Sequence, residues 1–421
     1  MGEKPFVTIA EKYFERFPSF NLRINDAIKV KPSIVIVIPV FNEPNIKPTL
    51  DSLFFKQETY NFQVEIILIV NHSSNASKSV KKTNYTTFDT LKEYATKHNS
   101  SKISIHPFFV NDLHPKHAGV GWARKIGMDI ALRRYKECKY NGVIVGLDAD
   151  STVSENYLNE INTFFKKSNC SAVSIHFEHP IKGEGYSERH YHYIKLYELH
   201  LRYYKNALAF AGFPYAYHTV GSSFALTAAA YARQGGMNRR KAGEDFYFIN
   251  KLIKGEIFGE IIDAKVTPSS RISDRVPFGT GRALLEAFDG VKNLELTYDF
   301  SIFKCLKRWI DNISCQNFDY DQFPEKVKKY IAKNEWDNTH LEMLKNSASH
   351  ELYLKRFFAK YDAFWVLKFT HYFRDNFTSN TDLLSNAQSL INQMNLKSLK
   401  NLDEQLELFR IADQKKGPLA P

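Results

Sequence analysis

The chain has 421 residues, 43% of them hydrophobic and 14% aromatic, and shows no low-complexity tract and no internal repeat, which excludes a disordered or fibrous protein and allows two domains. Its formal charge of +11 favours anionic partners (nucleotide phosphates, acidic membrane surfaces, nucleic acid) without choosing among them, and no RNP-type or zinc-finger signature speaks for nucleic acid. Cys138, Cys170, Cys305 and Cys315 are far apart and form no C-x-x-C pair, which argues against a zinc site or a disulfide framework and fits a reducing compartment.

Residues 1–32 read as a lead-in, helical over 10–17, and Met1–Lys12 lacks the apolar core of a signal peptide, so a cytoplasmic location is expected. Ser33–Val40 is a near-continuous β-branched run, as in a parallel strand covered on both faces. A loop at Phe41–Glu43 follows, then a helix over 48–57, a second buried strand over 64–70 and a polar loop at Asn71–Asn75. Next come a helix around 87–98, a short strand at 103–105, a helix over 118–134 carrying Arg124 and Lys125, and a strand at 143–147. Strand and helix thus alternate as in a doubly wound parallel sheet, where ligands bind beyond the carboxyl ends of the strands.

The second half continues with a helix over 154–165, a strand at 172–177, a long aromatic helix over 188–210, a small-residue strand at 221–226, a helix opening at Glu244-Asp245 and a strand at 257–262. His190, His192 and His200 lie at no recognisable ligand spacing, and packing or surface roles are expected for them. Residues 207–232 contain no charged side chain; their glycines, serines and Pro214 argue for a buried loop and strand, not a membrane span. From 283 to about 394 the pattern is helical and amphipathic. The domain reading is a lead-in over 1–32, an α/β domain over 33–282, a helical accessory region over 283–405 and a flexible tail over 406–421.

The stretch that points to chemistry is Gly142–Asp150, in which a buried strand delivers Asp148 and Asp150 to its carboxyl end. If the extended geometry persists, positions i and i+2 face one point, suiting a hard cation such as Mg²⁺ or Mn²⁺ that takes carboxylates, waters and phosphates. The plainer alternative is that both aspartates close the strand and cap the next helix. Arg271 and Arg275 stand in a glycine-containing loop, a chemistry suited to a diphosphate; a turn held by Asp274 is the plainer reading. Glu244 and Asp245 are acids in a first helical turn, where the macrodipole favours them.

With these pieces in place, the sequence resembles the family 2 glycosyltransferases of the GT-A fold. Val37–Glu43 looks like that family's first strand and P-x-x-N-E loop, Ala123–Gly127 its A-R-N-x-G helix, Asp148-Ala-Asp150 its D-x-D, and Glu244-Asp245 its E-D motif. The resemblance spans about residues 33–265 and implies an α/β, mixed but mainly parallel sheet with flanking helices, followed by a carboxyl-terminal helical region. It further implies a donor site drawing on Pro39, Phe41, Glu43, Asn71, Arg124 and Asp148. Mn²⁺ or Mg²⁺ would lie on Asp148 and Asp150, Asp245 would be the catalytic base, and Glu244 would position the acceptor. The segment 271–281 also looks like a motif of some bacterial members, and Arg271 and Arg275 are assigned to the diphosphate mainly by their charge. Two departures are visible: Asn71 stands where an aspartate commonly meets the nucleobase, and Lys125 replaces the A-R-N-x-G asparagine.

The expected activity is metal-dependent, inverting transfer from a nucleoside-diphosphate sugar, UDP- or GDP-linked, to a saccharide or glycolipid hydroxyl. The expected partners include no nucleic acid and no membrane span, with peripheral contact at the inner membrane face left open. A nucleotidyltransferase of related fold is an alternative, although the glycine-rich activation loop is not recognisable. A non-catalytic scaffold is another. Gly119 and Gly121 form only a fragment of a dinucleotide-binding G-x-G-x-x-G.

Overall fold

The protein is described from a computed structural model covering residues 5–17, 19–115, 118–237, 243–275, 277–315, 318–394, 396, 399 and 401–415. It divides into two compact units, residues 1–180 with 219–282 and residues 181–218 with 283–421.

In chain order the first unit begins with α1 (Phe6–Arg16), β1 (Pro32–Val40), α2 (Lys47–Phe54), β2 (Gln63–Ser73), α3 (Lys78–His98), β3 (Ile103–Leu113), α4 (Val120–Cys138) and β4 (Val143–Gly146). It continues through β5 (Thr152–Val153), α5 (Tyr157–Lys167) and β6 (Ala172–Phe177). The helix α6 (Glu188–Phe210) belongs to the second unit, after which β7 (Phe224–Thr227), α7 (Ala228–Arg233), α8 (Glu244–Gly255) and β8 (Phe258–Thr267) complete the first.

These strands form one mixed sheet in the order β3-β2-β1-β4-β7-β6-β8-β5. The first four are parallel, with Val37 opposite both Ile67 of β2 and Gly146 of β4. β7 runs antiparallel to its neighbours β4 and β6, β6 pairs parallel with β8, and β5 closes the edge antiparallel to β8. Ile34 to Ile38 and Val64 to Val70 are buried because helices cover this region of sheet. α4 seats especially closely: a Cβ on Gly127 would lie 2.4 Å from Val37 Cγ1, so the glycine of the A-R-K-I-G segment is required by helix-on-strand contact.

Several predicted boundaries move. β2 continues through Asn71, His72 and Ser73, where the sequence predicts a loop, because β3 is 11 residues long instead of three and pairs with it as far as Leu113. α3 starts at Lys78, nine residues before the predicted Thr87, with the Ser77 hydroxyl accepting from Val80 N–H. α7 was hidden in the uncharged run, which forms the end of α6, a turn, β7 and a short helix. Among the described residues no helix is long and apolar enough to cross a membrane.

The second unit adds α9 (Thr280–Phe288, entering from the first unit), β9 (Leu296–Tyr298), α10 (Phe300–Ser314), α11 (Glu325–Tyr330), α12 (Lys333–Lys345), α13 (His350–Lys360) and α14 (Ala363–Phe377). β10 (Asn380–Asp382), α15 (Leu383–Gln393) and α16 (Leu402–Asp413) end it. Its core is aromatic, with Trp309 set against Phe357, Tyr361 and Trp365 at ring separations of 5.1–5.2 Å. The predicted flexible tail over 406–421 is corrected for 406–413. Asn401 caps α16 by accepting from Glu404 N–H, and Leu406 and Phe409 are buried. Arg202 and His218 both pair with the buried Asp413, at 2.5 and 2.9 Å. Residues 416–421 lie outside the described residues.

The histidines of α6 divide between packing and surface: His190 stacks on Tyr186, His200, bonded to Thr297, is pushed down to about 4 by burial, and His192 is exposed. All four cysteines are free thiols.

Candidate active site

The carboxyl ends of β1 and β4 and the segments after β7 and β8 supply the polar groups of the site. Pro39 is buried near the end of β1, and in the turn beyond it Asn42 adopts a positive φ of 48°, a conformation that asparagine tolerates. That turn is pinned from α3: Asn42 N–H donates to Asn84 Oδ1, the Asn84 amide donates to Asn71 O, and the Thr87 hydroxyl donates to Glu43 O. These bonds swing Glu43 inward, where it is 1% exposed.

After β4 the chain does not stay extended. Ser151 N–H donates to Asp148 O at 3.2 Å, and the Thr49 hydroxyl holds Ala149 O at 2.9 Å. The i, i+2 alignment predicted for Asp148 and Asp150 is therefore replaced by a turn, and the two carboxylates meet different cations. Neither caps the following helix, which begins at Tyr157. Asp148 accepts from Arg124 Nη2 at 2.5 Å, and Asp150 accepts from Arg271 Nη2 at 2.7 Å and Arg275 Nη2 at 3.3 Å.

Arg124, on the first turns of α4, is 2% exposed and joins two of the sequence motifs. Its other nitrogen, Nη1, donates to Glu244 Oε1 at 2.5 Å, so the carboxylates of D-x-D and E-D share one guanidinium. Asp245 is next to them: its Oδ1 accepts from Phe246 N–H, and its charge is among those that raise Arg124. One buried cation thus faces Asp148, Glu244 and Asp245. Burial pushes Glu244 up to about 7 in spite of its contact with Arg124, and Asp245 is raised for the same reason. A guanidinium shared three ways cannot compensate every charge taken from water.

A second group lies around Glu43 and Asp150. Arg271 pairs with Glu43 as well as Asp150, and Arg275 reaches Glu43 Oε2 at 3.3 Å and the carbonyl of Phe41 at 3.0 Å. The loop arginines thus pair with acids of other loops. Burial, then the charge of Asp148, raises Asp150 to about 6.

Gly221 was missed by motif reading. A Cβ there would lie 2.9 Å from Asp245 Oδ2 and 3.0 Å from both terminal nitrogens of Arg124. The signal available in sequence was a Gly-Ser-Ser run entering a buried strand. Asn71, expected at the nucleobase, is fully buried in β2, with its Nδ2 3.5 Å from Gly119 O and its Oδ1 without a protein partner.

As for a metal, Asp148 and Asp150 offer hard carboxylate oxygens with side chains 37% and 26% exposed. Asp150 is raised by burial first and by the charge of Asp148 second, both of which a bound cation would offset, and the donor chemistry fits Mg²⁺ or Mn²⁺. Among the described residues no three His, Cys, Asp or Glu side chains gather as a ready-made ligand set, so other positions would fall to substrate oxygens and water.

Sheet and site together define the class, an α/β protein of mixed sheet with carboxylates and arginines gathered at the strand ends. Residues 35–231, just under half of the chain, match the sequence model of glycosyl transferase family 2, and it is this part of the chain that carries the family's likeness. A search of curated proteins returns no match. Solved structures resembling it include S. aureus TarS 1–349, at 14% identity, covering 56% of this chain and 60% of that one with a TM-score of 0.36. The same protein in complex with UDP-GlcNAc gives 12% identity, 66% and 72% coverage and a TM-score of 0.39. The mannosyltransferase PcManGT from Pyrobaculum calidifontis, in complex with GDP-Man and Mn²⁺, gives 13%, 97% and 92%, and 0.38. The family match, not these superpositions, carries that likeness.

Proposed function

We propose that the protein transfers a sugar from a nucleoside-diphosphate sugar to an acceptor hydroxyl with inversion at the anomeric carbon, using Mn²⁺ or Mg²⁺. The observation that carries this reading is the Arg124 guanidinium between Asp148 and Glu244, which puts the donor-side and acceptor-side carboxylates around one fixed charge.

Asp245 is the base. Its raised pKa gives a deprotonated carboxylate more basicity than an ordinary aspartate has, suited to taking a proton from an acceptor hydroxyl as that oxygen attacks. Glu244, oriented by Arg124, holds the acceptor. Attack from the side opposite the leaving diphosphate inverts the configuration. Arg271 and Arg275, together with backbone groups after β1, bind and neutralise that diphosphate, exchanging their pairs with Glu43 and Asp150 for phosphate oxygens. A divalent ion held by Asp148 and Asp150 would supply Lewis-acid stabilisation of the developing negative charge. The saccharide or glycolipid class of the acceptor follows from the family resemblance.

The test is calorimetric titration of UDP and GDP, with and without Mn²⁺, into the wild type and Asp150→Ala. Metal-dependent binding of one nucleotide, weakened at least about tenfold in the variant, is expected. A wild-type protein that binds neither nucleotide under either condition overturns the proposal.

A further inference from the structure

Two arginines and two carboxylates of the site converge on a single pair of oxygens. Arg271 Nη2 donates to Glu43 Oε2 and, at 2.7 Å, to Asp150 Oδ2. Arg275 reaches the same two oxygens through Nη1 and Nη2, each at 3.3 Å. The four charges cancel. Glu43 is held in place for this by Asn45 N–H, which donates to its other oxygen, Oε1, at 3.1 Å.

The backbone beneath the arginines is tied down. Arg271 N–H donates to Ser269 Oγ at 3.2 Å, Arg275 N–H to Ser273 Oγ at 3.3 Å, and Ser273 N–H to Gly281 O at 3.1 Å. A change of partner therefore asks for movement of the side chains only. Those side chains are 28% and 22% exposed, within reach of solvent and ligand, whereas Arg124, which holds Asp148, is 2% exposed and wedged against Glu244 as well. The cations on Asp150 can be exchanged, and the cation on Asp148 is fixed.

Charge decides what can draw the arginines off. A guanidinium does not give up its proton in a protein, so it leaves a carboxylate only for another anion. Without a replacement cation, the buried Glu43 and the mostly covered Asp150 would then stand uncompensated, which is strongly unfavourable. A divalent ion restores neutrality on the carboxylate side, and a diphosphate restores it on the arginine side. Either ligand alone leaves a charge unmatched.

We propose that Arg271 and Arg275 form a latch on Asp150 that competes with the divalent ion, and that the nucleoside diphosphate opens it by taking the arginines, so that ion and nucleotide bind cooperatively. This rests on the donor-site reading above and adds to it a rule of assembly: the ion alone binds weakly, and each ligand raises the affinity for the other by the same factor. Glu43 is a positioning residue, the second seat that keeps both arginines beside Asp150.

The test uses the full chain and two probes: Mn²⁺ alone, followed by electron paramagnetic resonance of the free aqua ion, and UDP or GDP by calorimetry with and without Mn²⁺. Arg271→Gln/Arg275→Gln is compared with the wild type. Arg271→Gln, which leaves Arg275 on Glu43, carries the same comparison should the double variant melt early. Without nucleotide, both variants are expected to bind Mn²⁺ more tightly than the wild type, the double variant by at least about tenfold. Adding Asp150→Ala to the double variant should remove that gain. The gain should also survive about 0.5 M salt, in which the influence of distant charges is screened; its disappearance there makes it a general field effect and overturns the latch. Equal Mn²⁺ affinity in the wild type and both variants, in a wild type that binds nucleotide with Mn²⁺, overturns the latch and leaves the donor site standing. A wild type that binds neither nucleotide with Mn²⁺ overturns the donor-site reading and this proposal with it.

Discussion

Gly221→Ala tests the architecture of the site without removing any charged group. The added methyl would stand 2.9 Å from Asp245 Oδ2, 0.5 Å short of the 3.4 Å at which ordinary contact begins, and 3.0 Å from Arg124 Nη1 and Nη2. All three obstructing atoms are side-chain ends, so the strain is relieved by displacing the carboxylate or the guanidinium, not the sheet. Overpacking of this kind costs about 1–3 kcal/mol, a few degrees of melting temperature for a unit of this size. The effect on chemistry is larger in proportion. A reacting group misplaced by about 1 Å loses roughly 10²-fold in rate, and half that displacement predicts a kcat lowered about tenfold. Asp245 is proposed to touch the acceptor and not the donor, so nucleotide affinity should stay within about threefold. Steady-state transfer with the nucleotide sugar found by calorimetry, alongside thermal denaturation, reads all three quantities. Wild-type kcat in a folded Gly221→Ala protein would refute the claim that close packing at this glycine sets the position of Asp245.

Asp245→Asn should abolish transfer while leaving nucleotide binding and the melting temperature close to wild type; residual turnover above about 1% of wild type would assign the base elsewhere. Stability should fall with pH across the neutral range in the ligand-free protein. Glu244 and Asp150 are raised to about 7 and about 6 from ordinary values of 4.5 and 3.8, so their contribution is complete below those ordinary values and is lost as pH rises through the elevated ones. The melting temperature should be higher at pH 5 than at pH 8, and Glu244→Gln should flatten the dependence; a steady rise in the wild type from pH 5 to 8 would contradict the assigned direction. Asp413→Ala leaves Arg202 buried without one of its carboxylates, a change worth about 3–5 kcal/mol; calorimetric unfolding of the full chain should show the loss, and an unchanged transition would argue against a structural role for α16.

What was legible in the sequence follows from the range over which each signal acts. The β-branched runs of β1 and β2 and the 23-residue helix α6 are local patterns, readable because burial and helical spacing are written residue by residue. The four motifs were readable for the same reason, each being a short string at the end of an element. β3 was underestimated because His106, Asn111 and Asp112 interrupt its apolar character; what extends it is pairing along the whole of β2, a long-range cause. The stretch 406–413 hides its structure for the same reason. Asp413 looks like one more surface acid until Arg202, Lys205 and His218, some 200 residues away, are placed around it.

The same distinction explains why the partners of the motifs could not be assigned from their spacing. D-x-D was expected to work as a pair because strand geometry would align its aspartates, but the turn at Asp148 divides them between Arg124 and the two arginines of the later loop. What unites the site is charge sharing. On the Arg124 side three carboxylates press on one guanidinium, and burial, outweighing that cation, raises Glu244 and Asp245. On the other side Glu43 and Asp150 are met by two arginines. The first arrangement favours a group that gains by holding a proton, the second a surface that can exchange carboxylate partners for phosphate oxygens at little change in net charge. In the proposed reaction, acceptor deprotonation and diphosphate departure make opposite demands on the two ends of the reacting bond, and this division of charge suits each separately.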